Sequence, residues 1–441
     1  YAEMMHWSLF PKTYHMFEDF EHLLDEQKIL EKYGLFVRGG FWRNFMVKYP
    51  EVNVMHKKML RVSQKIWQAE VHRYEDKQKA LDHLWAGQCN CPYWHGVFGG
   101  LYLSHLRQAI YSNLIAAENE WTRLTNPKYP FVESIDFDAD GRVEVLVEAD
   151  FHNAYFRPQK GAVMFMYDIK PALKNLLDTM SRREEGYHSK LDEAKLPEEA
   201  ANHEADETAS IHDLILAKEP GLKEHLTFDW YEKKSFVDHF IANNTQLDQF
   251  AKAQFEEKGD FVNQAYELLE QEQNEKRVIL HFERKGHVWI GDDFKPLTLR
   301  KLITIENDEG LITATYHLLN ETSENLPLNF AVEFNFGLQA GHAEDRYYYL
   351  PKGKLEDAFL DSRGIIEDVD AIGLRDEYLN LDIRLTSDQK GRIWRMPVET
   401  ISLSEAGFER VYQSSTVLLN WTINLQKQWT TQIKQSVSLI K

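Results

Sequence analysis

Between Trp85 and Arg107 the chain sets two cysteines, Cys89 and Cys91, beside Asn90, Tyr93, Trp94, His95 and His105. Thiolates and imidazoles can hold zinc or build a Cys/His nucleophile. The spacing argues against zinc, because structural sites pair C-x₂₋₄-C with a second, distant pair and a C-x-C turn is strained as a chelate. Nor does a nucleophile signature surround either thiol, so packed free thiols are the preferred reading. Pro92, Gly96, Gly99 and Gly100 exclude a helix here, since each glycine costs about 1 kcal/mol in a helix interior and proline about 3. The segment is therefore a shaped loop, with Tyr93, Trp94 and His95 between a stiff proline and a permissive glycine. Such a loop can present an aromatic ring to a ligand; equally, Trp94 can cap a β-domain where it meets helices.

A second dense cluster is Phe36-Val-Arg-Gly-Gly-Phe-Trp-Arg-Asn-Phe45 with Lys48. Arg38 and Lys48 can point at hydroxyls or at a catalytic carboxylate, although any single charge is more often solvated or structural. Trp42 belongs to the same cluster. Paired carboxylates are the chemistry of glycoside cleavage, and Asp136, Asp138, Asp140 and Glu405 are candidates without a framing motif. Asp136-x-Asp138-x-Asp140-Gly141 matches the opening of a calcium loop. The bidentate Glu expected at the twelfth position falls at Val147, with Glu148 one residue late, so a β-turn is the preferred reading and no metal or other cofactor is expected. Sequons at Asn243, Asn320 and Asn420 carry little weight without a signal peptide.

The composition narrows the ligand. A net charge of −19 argues against nucleic acid, whose phosphates need a cationic footprint, and favours a neutral or cationic ligand. With 11 Trp, 20 Tyr and 25 Phe, flat rings are available for the apolar face of a pyranose, and equally for large cores. No apolar run reaches the roughly 20 residues that cross a bilayer, so no membrane partner is expected. Two cysteines make no disulfide framework, and a reducing cytoplasm is expected. Tyr1 to Phe10 read as the interior of a domain, so the expectation is a piece of something longer.

Helical periodicity positions the loop: Phe17, Phe20, Leu23 and Leu24, then Met55, Met59, Val62 and Ile66, then Leu101 to Leu114, with Asn53 as a candidate cap. These predict a small three-helix bundle within residues 1–125. Beyond Pro130 the pattern alternates, at Val143 to Val147 against the polar, outward-reading Arg142, Glu144 and Glu148, at Val163, Phe165 and Tyr167, and at Phe330, Val332, Phe334 and Phe336. Residues 130–441 therefore predict a large antiparallel β-domain of two packed sheets, so the fold class is α+β. Residues 182–210 are acidic and read as a surface excursion, partly disordered.

Gln88-Cys-Asn-Cys-Pro-Tyr-Trp-His-Gly-Val-Phe-Gly-Gly-Leu-Tyr-Leu-Ser-His-Leu-Arg107 resembles the fifth conserved region of glycoside hydrolase family 57, in its branch of 4-α-glucanotransferases and α-amylases. Phe36 to Met59 resembles the helical segment just before it. Ala209-Ser-Ile-His-Asp213, Gly259-Asp-Phe-Val-Asn263 and Leu403-Ser-Glu-Ala-Gly407 extend the resemblance over nearly the whole chain. The resemblance implies a catalytic barrel followed by a helical middle domain and a C-terminal β-supersandwich similar to galactose mutarotase, of which this chain holds the end of the barrel and the latter two. It implies an α-1,4-glucan or maltooligosaccharide as ligand and leaves a homodimer open. The family's Glu nucleophile and Asp acid/base lie in regions upstream that have no counterpart here, so no catalytic residue is assigned to this chain. The fifth region implies an aromatic and polar wall of the glucan cleft. Trp94 matches its sugar-contacting Trp, flanked by Tyr93 and His95, with Asn90, Cys91, Trp42 and Arg38 as further candidates. Many members carry an Asp where this chain has Cys91, which puts a polar contact there in doubt. A non-catalytic carbohydrate-binding protein derived from the same family is the alternative.

Overall fold

The computed structural model of the chain describes residues 2–71, 73–96, 99–196, 215–404 and 406–440. Ala209–Asp213, Val97, Phe98 and Glu405 lie outside the described residues.

The first part is helical: α1 (Pro11–Glu26), α2 (Leu30–Tyr33), α3 (Trp42–Lys48), α4 (Pro50–Gln68), α5 (Gln78–Ala86) and α6 (Ser104–Thr125). In α4, Met55, Val62 and Ile66 are buried on one face as their spacing requires. The helix begins at Pro50, a residue preorganised for the first helical position, so Asn53 is not its cap. The Asn53 side chain instead donates to the carbonyl of Asp138, 2.7 Å away. Helix α6 starts only at Ser104, because Gly99 and Gly100 take left-handed backbone and Leu101 lies in a 3₁₀ turn; it ends at Asn126, also left-handed. Helices α4, α5 and α6 pack on one another and α3 packs on α4, whereas α1 packs on the 3₁₀ turn Gly186–Asp192.

Two antiparallel sheets follow. The smaller runs in chain order through β1 (Phe131–Ile135), β2 (Glu144–Glu148), β3 (His152–Arg157), β4 (Val163–Ile169) and β5 (Lys174–Asn175). The larger has eleven strands, β6 (Val237–Phe240), β7 (Glu267–Gln273), β8 (Arg277–Ile290), β9 (Asp293–Glu306), β10 (Leu311–Asn320), β11 (Leu326–Phe336), β12 (Arg346–Tyr349), β13 (Gly364–Asp376), β14 (Leu381–Ser404), β15 (Gly407–Leu425) and β16 (Gln428–Leu439), with β14 between β15 and β16. One face of the small sheet, with Val145, Val147 and Phe156, shares a core with Phe330, Val332, Phe334 and Phe336 of the large sheet. Its other face, with Leu146, Tyr155 and Phe165, shares a core with α4 and α6. The small sheet is thus covered on both sides, which explains why Glu144 and Glu148, expected to face water, are each only 2% exposed. A β-bulge at Phe165 breaks the alternation of β4, so Phe165 and Tyr167 face different cores.

Charge crosses the junction as well. Lys58 Nζ of α4 lies 2.6 Å from Glu118 of α6 and 3.0 Å from Asp168 of β4, all fully buried. Lys65 bridges Glu118 and Glu148 at 2.5 and 2.6 Å. The segment predicted as a surface excursion starts in the interior: Arg182, Glu185 and Tyr187 are buried, because Arg182 pairs with buried Asp229 and Glu185 with Lys48.

Candidate functional site

The loop after α5 is shaped by its glycines. Cys91–Tyr93 forms a 3₁₀ turn, and the chain returns so that Leu101 N–H donates to the Trp94 carbonyl at 3.0 Å. Gly100 permits this approach: its φ is +46°, and a Cβ there would lie 2.2 Å from that carbonyl oxygen. Gly96 serves the ring, since a Cβ there would lie 2.9 Å from the indole of Trp94. The indole therefore folds over Gly96, half-buried, with Phe45 edge-on at 6.2 Å.

The flanking residues lie behind the ring. Tyr93 is buried and its hydroxyl donates to the Gly87 carbonyl at 2.7 Å, closing the loop on its own start; burial pushes its ionisation up. His95 is fully buried, with Nδ1 3.2 Å from the Gly96 carbonyl and Nε2 3.1 Å from the Tyr187 hydroxyl. A carbonyl can only accept, so Nδ1 carries the proton and Nε2 accepts from Tyr187. Burial pushes His95 down to about 3, which keeps it neutral. Trp7 packs against its ring, 4.3 Å between centroids.

Asn90, Cys89 and Cys91 are exposed, and both thiols are free. Among the described residues, neither thiol belongs to a group of three side chains able to share a metal ion. Trp42 is 39% exposed and reaches the loop through His56, which lies edge-on to Trp42 at 5.4 Å and to Tyr93 at 6.3 Å. Arg38 is exposed on the preceding segment. Lys48 is not free to meet a ligand: it is buried, 2.6 Å from Glu185, and donates to the carbonyls of Trp7 and Leu9. Glu185 also accepts from Tyr49 at 2.9 Å and Tyr102 at 2.5 Å. Burial alone would push this carboxyl up, but the Lys48 charge, helped by the Tyr102 hydroxyl, outweighs it and holds Glu185 below the usual carboxylate range. Sequence reading missed Glu185, because no motif frames it within its acidic segment.

Beneath the loop lies a cavity of about 380 Å³. Cys89, Cys91, Pro92 and Trp94 line it from the loop and Leu106 and Ile110 from α6. An apolar recess beside a half-exposed indole can take the apolar face of a ring, while Asn113 in its lining and exposed Asn90 between the two lining thiols supply polar groups. Among the described residues, the cavity lining offers binding groups and no paired carboxylates.

A helical unit whose α5–α6 loop displays a tryptophan, set ahead of two packed antiparallel sheets, defines the class, and comparison with known proteins assigns it. The model described as "Alpha-amylase/4-alpha-glucanotransferase, middle domain" matches residues 40–120, and that described as "Alpha-amylase/4-alpha-glucanotransferase, C-terminal" matches residues 136–434. The chain belongs to the alpha-amylase/4-alpha-glucanotransferase family. It is 34% identical to Alpha-amylase 1 of Dictyoglomus thermophilum, over 98% of this chain and 60% of that one. It is 33% identical to the 4-alpha-glucanotransferase of Thermococcus litoralis, over 99% of this chain and 59% of that one. The crystal structure of 4-alpha-glucanotransferase from Thermococcus litoralis aligns at TM-score 0.77 and 30% identity, covering 99% of this chain and 57% of that chain. A galactose mutarotase-like protein from Clostridium acetobutylicum aligns at TM-score 0.44 and 9% identity over 71% of this chain. The chain spans about three fifths of the length of the curated relatives it matches. Among the described residues, no helix is long and apolar enough to cross a membrane.

Proposed function

We propose that this chain is the glucan-binding middle and C-terminal part of a family 57 enzyme acting on α-1,4-glucans, with the Trp94 loop as one wall of the cleft. The observation that carries the reading is the half-exposed indole of Trp94, held over Gly96 at the mouth of an apolar recess within the segment that matches the middle domain. Trp94 stacks on the sugar, with Asn90, Cys91 and Trp42 beside it and Arg38 at the margin. Tyr93 and His95 act as positioning residues, because their rings are buried and committed to Gly87 and Tyr187. The reacting carboxylates belong to the part of the relatives' length that this chain does not span. One carboxylate would attack the anomeric carbon and the other protonate the leaving oxygen, with water or a second glucan hydroxyl resolving the glycosyl-enzyme. Leu35, Phe36, Phe41 and Val47 are each at least 69% exposed, apolar side chains available to contact that part.

The test is calorimetric titration with maltoheptaose. Trp94→Ala is expected to lose the binding heat while the melting curve stays close to that of the unaltered chain. Unchanged affinity in Trp94→Ala would refute the reading. A transfer and hydrolysis assay on the 441-residue chain complements it: no turnover is expected, and turnover would place the reacting groups within this chain.

A further inference from the structure

The turn between β1 and β2 departs from an ordinary β-turn. Asp136, Asp138, Asp140, Gly141 and Glu144 occupy positions 1, 3, 5, 6 and 9 of a calcium loop. The twelfth position holds Val147, a core residue of β2, yet the structure supplies an acid at the ninth. Glu144 turns inward, and carboxylate oxygens of Asp136, Asp138 and Glu144 all lie within 4.8 Å of one another. Gly141, at the position where such loops need a sharp turn, has φ +86°, and Ala139 is also left-handed at +59°.

A second observation points to a missing ligand. Asp138 is 5% exposed; its Oδ2 accepts from Arg157 Nη2 at 2.7 Å, but its Oδ1 is buried with no hydrogen-bond partner. A buried carboxylate oxygen left unpaired costs about 1–3 kcal/mol or more, so such an atom calls for a partner. The cations nearby are already divided. Arg157 also serves Glu232 at 2.6 Å, and Lys160, 4.0 Å from Asp140, also serves Glu232 at 3.3 Å. Glu144 accepts from the backbone N–H of Phe137 at 2.8 Å and of Asp138 at 3.4 Å, and burial together with the Asp138 charge pushes it up to about 7. The backbone N–H groups of Asp140 and Gly141 meet Asp136, which fixes its carboxylate at the rim.

We propose that Asp136, Asp138 and Glu144 bind a calcium ion, with Asp140, a backbone carbonyl of the same turn and water completing an oxygen shell. Calcium fits better than magnesium, because an irregular set of carboxylate and carbonyl oxygens on an exposed turn suits a large, flexible coordination sphere. The site lies at the junction, since the Asp138 carbonyl accepts from Asn53 of α4. Calcium would therefore fasten the β1–β2 turn under the helices and raise stability by mass action.

The experiment strips the 441-residue chain with chelator, titrates CaCl₂ by calorimetry, and follows melting with CaCl₂ or MgCl₂. One calcium per chain and a rise in melting temperature of several degrees are expected, with a smaller response to magnesium. Glu144→Gln and Asp136→Asn should each weaken calcium binding by more than about tenfold and lose the shift. Asp136 is exposed, so its variant keeps the test usable if Glu144→Gln fails to fold. Glu272→Gln, in the exposed Glu270, Glu272 and His281 group, should respond like the unaltered chain. The proposal is overturned if the unaltered chain shows neither heat nor shift, if Asp136→Asn responds fully, or if Glu272→Gln is the variant that loses the response.

Discussion

Replacing Gly100 by alanine isolates what the close backbone approach contributes to the Trp94 loop. Two costs are stacked at this position. The first is the left-handed φ of +46°, which for a residue with a Cβ costs about 1–2 kcal/mol. The second is contact: a Cβ 2.2 Å from the Trp94 carbonyl oxygen and 3.2 Å from that of Cys91 cannot be accommodated, so the strands of the loop must part. Parting them removes the Leu101-to-Trp94 hydrogen bond, worth about 0.5–1.5 kcal/mol net, and leaves a carbonyl short of a partner at a further 1–3 kcal/mol. Gly291 is the control, because its φ is +60° and a Cβ there meets nothing within 4 Å. Gly291→Ala should cost about 1–2 kcal/mol and Gly100→Ala about 2–4 kcal/mol more. Urea unfolding of the two variants against the parent measures the difference, and maltoheptaose titration of the same samples reads the loop. Gly100→Ala should weaken binding while Gly291→Ala leaves it unchanged. Equal destabilisation of the two variants would refute the claim that contact, and not backbone conformation alone, fixes Gly100.

Glu185→Gln leaves the buried Lys48 ammonium without its counter-charge and should cost about 3–5 kcal/mol in urea unfolding, with Lys48→Met/Glu185→Gln recovering part of the loss; a double variant no better than the single would sink this account. His95 and His152, both pushed down to about 3 by burial from an ordinary 6.5, bind fewer protons folded than unfolded between those values. Stability should therefore fall as pH drops from about 6.5 toward 3, with a slope of at most about 1.4 kcal/mol per pH unit for each histidine, and His95→Phe should flatten that limb of a melting profile. His239 has the opposite sign: burial would push it down, but hydrogen bonds to Glu257 and Glu333 raise it to about 9. Its contribution is complete below about 6.5 and is lost as pH rises through about 9, so His239→Gln should remove an alkaline decline that the parent shows.

The alternation of Phe330 to Phe336 was legible because β11 is regular and one face meets the core. The same reading failed in β4, where the bulge at Phe165 shifts the parity by one residue, and bulges leave no compositional mark. Glu144 and Glu148 read as outward-facing because alternation says which residues share a face, not whether a second layer covers the other face. The helices were legible from Met55, Val62 and Ile66, but which of them pack together was not: α5 carries too short a pattern to stand out, and α1 is drawn away to the Gly186–Asp192 turn. In the loop, composition singled out the segment, and of its Tyr93, Trp94 and His95 rings Trp94 is the one left partly exposed. Tyr93 and His95 share its polarity and aromaticity, and only the fold shows that their polar atoms meet Gly87, Gly96 and Tyr187.

What sequence patterns could not carry at all are the buried charges that orient the loop. Arg107 closes the motif and is 1% exposed; its guanidinium meets Asp178 at 2.8 Å, Gln413 of β15 at 2.8 Å and the Leu101 carbonyl at 2.5 Å. Gln413 returns a hydrogen bond to the Tyr102 carbonyl at 2.9 Å. Lys48 with Glu185 and Lys58 with Glu118 and Asp168 make further links between helices and the sheet side. Desolvation offsets most of what such pairs gain, so their net contribution to stability is small. Their directionality is not offset. Apolar contacts between α4, α6 and the small sheet tolerate sliding by a fraction of a side chain, whereas a buried ammonium displaced from its carboxylate loses several kcal/mol at once. The charges therefore fix the register of helices on sheet, and with it the direction in which Trp94 faces.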